Sequence, residues 1–140
     1  VLGVRLPAVD QLGLSDERAG SGRKSLRFSL AAAVKDHRRA FSPPLPCAGG
    51  QRLKVSANYF HVSGDGNYGL FVAAYDTADG SGAIKVVAVK RGPFTAGSWN
   101  RAEGVAQLPA GVKSFRVMLW SSREAVATYF IDDVTVEAAP

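Results

Sequence analysis

Apolar and polar residues alternate with a period of two along much of this chain, and they do so in short runs. Strand side chains project to opposite faces in turn, so each run reads as a strand with one buried side. KSLRFSL at 24–30 sets Leu26, Phe28 and Leu30 against Ser25, Arg27 and Ser29. RLKVSANYFHV at 52–62 sets Val55, Ala57 and Tyr59 against Lys54, Ser56, Asn58 and Phe60. YGLFVAAYD at 68–76 sets Leu70, Val72 and Ala74 inward and Phe71, Ala73 and Tyr75 outward, and SFRVMLW at 114–120 splits Phe115, Val117 and Leu119 from Arg116, Met118 and Trp120. Further strands are predicted over 83–92 and within 96–111.

Turn residues separate these runs. SGDGN at 63–67 is predicted to close a hairpin between its flanking strands, TADGSG at 77–82 is a second turn, and the prolines of SPPLPCAGG at 42–50 cannot donate to a ladder, so that stretch reads as a loop. Asp65 and Asp79 fit these turns as turn formers. Strands recurring every ten to fifteen residues or so, with no amphipathic helix, predict an all-β fold: an antiparallel β-sandwich or barrel.

The last run, YFIDDVTV at 129–136, carries two adjacent carboxylates. Strict alternation puts Phe130, Asp132, Val134 and Val136 on one face and Tyr129, Ile131, Asp133 and Thr135 on the other. One carboxylate then points toward the apolar side and needs donors or a cation, because an unpaired buried charge is strongly unfavourable. With Val134 and Val136 taken as core, Asp132 is the inward member and Asp133 the outward one. Facing opposite ways, they cannot act as a glycosidase acid/base pair.

Composition narrows the classes. A chain of 140 residues that is 46% hydrophobic fits one domain spanning 1–140. Its ending at Glu-Ala-Ala-Pro and its start at Val1 suggest a domain excised from a larger multidomain chain, monomeric within it. A net charge of +5 biases it toward anionic partners. The basic clusters Arg23-Lys24 and His37-Arg38-Arg39 lack the aromatic interleaving of a nucleic-acid module, and no run reaches the ~20 apolar residues of a membrane helix. The single cysteine, Cys47, permits no internal disulfide, and no Cys/His set suits zinc. There is no G-x-S-x-G elbow, AGSGRKS at 19–25 only imitates a phosphate loop, and His37 and His61 read as surface or satisfied histidines.

The strings SGRKSLRFS, YGLFVAAYDTADG, GSWNRAEGVAQLPAGVKSFRVMLW and YFIDDVTVE follow one another in the order seen in jelly-roll carbohydrate-binding modules. Over roughly residues 20–137 the chain resembles the family four, nine, sixteen and twenty-two modules of secreted bacterial polysaccharide-degrading enzymes. The resemblance implies a jelly-roll sandwich, no catalytic activity, an extracellular setting, a polysaccharide or oligosaccharide groove on one sheet, and a structural calcium ion. By that likeness calcium would be held by Asp132 or Asp133, backbone oxygens of residues 20–24, and Asp16 or Glu17. The chain departs from the group in residues 1–15, which contain no aromatic residue and no Glu where an aromatic-Glu strand usually opens the module.

Sugar recognition needs flat apolar faces for stacking and polar forks for direction. The polar sides of the strands are expected to form one face carrying Arg27, Lys54, Asn58, Tyr75, Arg116 and Trp120, which would suit an uronate-containing chain, since guanidinium groups grip carboxylates bidentately. Trp99, at the start of its strand, is expected to anchor the end of the core. The competing reading is a purely structural jelly roll that packs Trp120 and Tyr75 against a parent enzyme and binds no glycan.

Overall fold

A computed structural model describes residues 3–5, 11–15, 25–35 and 37–140, with side chains described from residue 25 onward. Among the described residues, eleven strands form two antiparallel sheets. They are β1 (Gly3–Arg5), β2 (Gln11–Ser15), β3 (Ser25–Leu30), β4 (Arg38–Phe41), β5 (Leu45–Pro46), β6 (Arg52–Gly64), β7 (Tyr68–Tyr75), β8 (Ile84–Arg91), β9 (Trp99–Gln107), β10 (Ser114–Ser121) and β11 (Ala127–Ala138). The first sheet runs β1-β4-β10-β7-β8, with β5 also on β10; the second runs β2-β3-β11-β6-β9. This is the all-β sandwich that the alternation predicts.

The inward sets read from β3, β6, β7 and β10 meet in one core, which includes Phe28, Leu30, Val55, Ala57, Tyr59, Leu70, Val72, Ala74, Phe115, Val117 and Leu119. At its centre, rings from the two sheets stack. Tyr129 lies 3.7 Å from Tyr68 across the sandwich and 4.8 Å from Phe28 beside it, within 7° of parallel to both. Burial, with Tyr129 adding to it, pushes the Tyr68 phenol above its ordinary range, so it stays protonated. It donates to His61 Nδ1 at 2.6 Å, while His61 Nε2 donates to the Gly64 carbonyl at 3.1 Å. The Tyr129 hydroxyl pairs with Ser121 Oγ.

Three expectations change. The 63–67 segment does not close a hairpin: β6 belongs to one sheet and β7 to the other, so the chain arches between layers. Gly64, at φ +89°, makes the arch by lying where a Cβ would run into the Val126 carbonyl of the neighbouring strand's entry. The true hairpin is β7–β8, closed by TADGSG, where Asp79 Oδ1 accepts from the Ser81 N–H and hydroxyl and is held below the usual carboxylate range by those bonds. Second, the 42–50 loop contains the short β5. Third, Arg38 of the basic cluster is no surface charge. It is 1% exposed and donates to the carbonyls of Ala32, Ser122 (2.5 Å) and Ala125 (2.9 Å), clamping two loops at one end of the sandwich.

The parity of β11 also breaks. Asp132 faces Asn58 and Thr135 faces Ser56, so Asp133 and Val134 together oppose Ala57: a β-bulge with one extra residue. Tyr129, Ile131 and, past the bulge, Val136 turn inward, whereas Phe130 and Asp132 turn outward, so the assignment of Asp132 to the core side is corrected. The extra residue resets the alternation, and no carboxylate has to enter the core. Asp133 takes the left-handed position (φ +53°), where Asp is tolerated better than most residues. The pair secures the bulge: the Asp133 N–H donates to Asp132 Oδ1 (2.8 Å), and Asn58 Nδ2 donates to Asp133 Oδ2 (2.9 Å).

Two stability outcomes follow. The Tyr59 hydroxyl is buried and has no hydrogen-bond partner among the described residues. Burying an unpaired hydroxyl costs ~1–3 kcal/mol, so Tyr59→Phe is expected to raise stability by about 1 kcal/mol in urea unfolding; a loss of stability would refute this account. Asp133→Val forces a β-branched residue into the left-handed region at a cost of about 1–2 kcal/mol. Asp133→Gly loses the Asn58 bond without that strain, so in the same measurement Val should be clearly less stable than Gly.

Candidate functional site

The outward positions of the first sheet form a lattice that the strand register defines row by row. One row reads Arg39 (β4), Trp120 (β10), Gly69 (β7) and Arg91 (β8); the next reads Phe41, Met118, Phe71 and Ala88; the third holds Arg116, Ala73 and Val86; the fourth Ser114, Tyr75 and Ile84. Three interstrand spacings of roughly 4.8 Å make this floor about 14 Å wide from β4 to β8. Phe41, Phe71, Ala73, Tyr75 and Met118 form its apolar centre, with Trp120 packed against them. Phe71 and Trp120, diagonal neighbours in the register, lie 5.3 Å apart, and His37 lies 5.3 Å from the same indole. The His37 Nδ1 accepts the Arg123 N–H at 3.2 Å.

Cations line this floor. The Arg91 guanidinium stands over Trp120 at 5.0 Å and that of Arg116 over Tyr75 at 5.6 Å, within cation–π range. Arg116 Nη1 also donates to the Ser42 carbonyl at 3.1 Å. Among the described residues none of Arg39, Arg91 and Arg116 is paired with a carboxylate, and the strand positions of the floor carry no Asp or Glu.

The second sheet's outer face differs in kind. There Lys54 lies 3.7 Å from Glu103 and 3.8 Å from Glu137, and Arg101 lies 3.3 Å from Glu103 and donates to Ser56 Oγ. Such exposed pairs add little stability, but they match these four charges to one another.

The six residues expected to share a binding face are therefore divided. Tyr75, Arg116 and Trp120 come together on the first sheet, whereas Arg27, Lys54 and Asn58 lie on the second, across the sandwich. Alternation sorts the sides of β3, β6, β7 and β10 correctly but does not say which sheet a strand joins. Asn58 bonds to Asp133, and Lys54 to its two glutamates. Arg39 and Arg91 were missed; the signal for them lies in the register, which sets both in the Trp120 row. Trp99 does not plug the core end: it packs edge-on against Phe60, at 5.5 Å and 69°, on the second sheet's outer side.

For calcium, residues 16, 17 and 20–24 lie outside the described residues. Asp132 and Asp133 each accept a hydrogen bond of the bulge, and the described residues contain no group of three or more His, Cys, Asp or Glu side chains placed to hold a metal.

No family model matches the sequence, and no curated protein matches it. Solved structures match closely in shape. The Clostridium thermocellum endo-1,4-beta-D-xylanase 10B CBM22-1 and GH10 modules, complexed with xylohexaose, superpose with a TM-score of 0.72 at 14% identity, over 99% of this chain and 26% of that one. The CBM22-1 xylan-binding domain from Paenibacillus barcinonensis Xyn10C gives 0.67 at 17% identity, over 98% of this chain and 85% of that one. The enzymatically active domain of Bacteriophage CBA120 tailspike protein 4 gives 0.72 at 12% identity, over 99% of this chain and 19% of that one. With β6 to β11 distributed over its two antiparallel sheets, this chain has the jelly-roll sandwich fold of carbohydrate-binding modules.

Proposed function

We propose that this chain is a non-catalytic carbohydrate-binding module, attached to an extracellular polysaccharide-active enzyme, and that its ligand is a carboxylate-bearing polysaccharide such as an uronate-substituted chain. The ligand lies on the outer face of the first sheet. The observation that carries this reading is the asymmetry of charge: Lys54 and Arg101 on the second sheet's outer face are paired with glutamates, while Arg39, Arg91 and Arg116 border an aromatic floor whose strand positions offer them no carboxylate. A guanidinium beside an aromatic ring is already oriented by it, so it meets a carboxylate with less loss of freedom. The xylan-binding description of a module with the same fold supports a glycan as the class of ligand. The strand positions of the floor carry no Asp or Glu, so the paired carboxylates of most glycosidases are not among them, which fits a binding role. Calcium, if held by Asp132 or Asp133 with backbone oxygens of residues 20–24 and Asp16 or Glu17, would bind at β11 on the sheet opposite the ligand, so a chelator would change melting temperature before it changed affinity.

Affinity electrophoresis in gels containing glucuronoxylan or polygalacturonate, with unsubstituted xylan as the neutral control, tests the reading. Arg116→Ala is expected to weaken retardation by the acidic glycans about tenfold, the scale of losing one charge-assisted hydrogen bond, and Trp120→Ala to weaken it by a similar factor through the lost aromatic surface beneath Arg91. Raising salt should weaken it further. Retardation unchanged in both variants would sink the floor as the site. A chain retarded by no glycan would leave the jelly roll as a domain that packs on its parent protein.

A further inference from the structure

The floor described above does not offer an open stacking platform. Phe41, Phe71 and Tyr75 are 8%, 9% and 6% exposed, and Trp120, the more accessible ring, carries the Arg91 guanidinium on it at 5.0 Å. How Arg91 comes to lie there is written in the register. In the row Trp120–Gly69–Arg91, the middle strand contributes a glycine, so nothing rises between the arginine on the edge strand and the indole two strands away. Gly69 cannot be exchanged cheaply, because a Cβ there would come within 2.8 Å of the Arg91 Cα.

The guanidinium is also caught from the side. Arg91 Nη2 donates to Asn67 Oδ1 at 2.9 Å. Asn67 is itself fixed on both sides of its backbone: its N–H donates to Asp65 Oδ1 at 2.7 Å and its carbonyl accepts from the Ser122 N–H at 3.0 Å. The arch between the sheets thus ends in an amide that parks Arg91 over Trp120, at the rim of the floor and next to the strand end that carries the indole.

Building on the reading of this face as a glycan site, we propose that Arg91 is its specificity-determining residue: a guanidinium lid on Trp120, latched by Asn67, that discriminates against neutral sugars. A neutral pyranose stacks on the indole only by displacing the guanidinium from both the ring and the amide. A uronate approaches the outer edge of the same guanidinium and gains a charge-assisted pair with the lid in place, or draws the lid aside while remaining bound to it. The discrimination thus resides in what covers the ring, and the aromatic residue alone does not set it.

The test uses xylohexaose as the neutral probe and a tetragalacturonate as the acidic one, measured by titration calorimetry on wild type, Arg91→Ala and Asn67→Ala. Arg91→Ala should bind xylohexaose about tenfold more tightly than wild type and tetragalacturonate about tenfold more weakly. Asn67→Ala, which opens the latch and keeps the charge, should strengthen xylohexaose binding while retaining the acidic probe, an outcome that simple loss of positive charge cannot produce. Neutral binding that is unchanged or weaker in Arg91→Ala overturns the proposal. A readout without sugar separates this inference from the glycan reading. In a Trp99→Phe background Trp120 is the sole tryptophan, and removing Arg91 should about double its acrylamide quenching constant by uncovering one ring face. Unchanged quenching removes the lid whatever the chain binds, whereas wild type and variant that bind neither probe remove the glycan reading and its specificity together.

Discussion

The arrangement rests on the stack of Tyr129 between Phe28 and Tyr68. A sandwich is held by what its two sheets share, and here the shared element is a set of near-parallel rings with hydroxyls satisfied on opposite sides, Tyr68 by His61 and Tyr129 by Ser121. Aromatic pairs of this kind contribute ~0.5–1.5 kcal/mol beyond their buried area, and their directional contacts set the alignment of the sheets as well as their separation. Because Tyr68 opens β7, fixing it fixes the parity of that strand. Leu70, Val72 and Ala74 then follow it into the core, and Phe71, Ala73 and Tyr75 are turned outward onto the floor.

That consequence explains why β7 is buried along its whole length. One face is core in the ordinary sense. The other is covered from the side, by arginines that reach over it and by the neighbouring rows of β10 and β4. An outward face of this composition would be a liability if left bare, and long planar cations with aliphatic stems suit the task of covering aromatic rings while remaining soluble. The second sheet meets solvent differently, with Lys54, Arg101, Glu103 and Glu137 in mutual contact. One molecule therefore presents a face whose Lys54 and Arg101 contact glutamates and an arginine-roofed aromatic face, and the difference lies in side chains that share the same kind of backbone geometry.

Period-two alternation revealed most of the fold because the core-facing residues of β3, β6, β7 and β10 obey it without interruption. It failed wherever a local event shifted the count or reversed the chemistry. The bulge at Asp133 and Val134 inverted the parity of the last strand's end, and Asp in the left-handed region is a weak sequence signal beside the glycine usually found there. Arg38 hid β4, since a strand whose inward residue is a buried arginine does not look like a strand. The six residues expected on one face were divided between the sheets for a topological reason. Alternation gives each strand two sides but leaves the strands unassigned to sheets, so the polar sides of β3 and β6 were grouped with that of β10 although they cover the opposite layer. Arg91 lay beyond reach for the same reason: its neighbour Trp120 is far away in sequence and two strands away in space, and the residue between them is defined by having no side chain.

A fold shared with xylan-binding modules and with part of a phage tailspike cannot itself carry a ligand's identity, because backbones alike to this degree tolerate almost complete replacement of side chains. What distinguishes this chain must lie where the sandwich leaves side chains unconstrained by the core, and the outer lattice of the first sheet is such a place. Its apolar centre alone would suit many pyranose chains. Three arginines without carboxylate partners among the described residues change the balance, since each can lose water to a bidentate partner at less entropic cost than a free lysine would. On the proposed reading, the selectivity of the face depends less on which aromatic residues it contains than on whether a ligand can use the cations that already lie upon them.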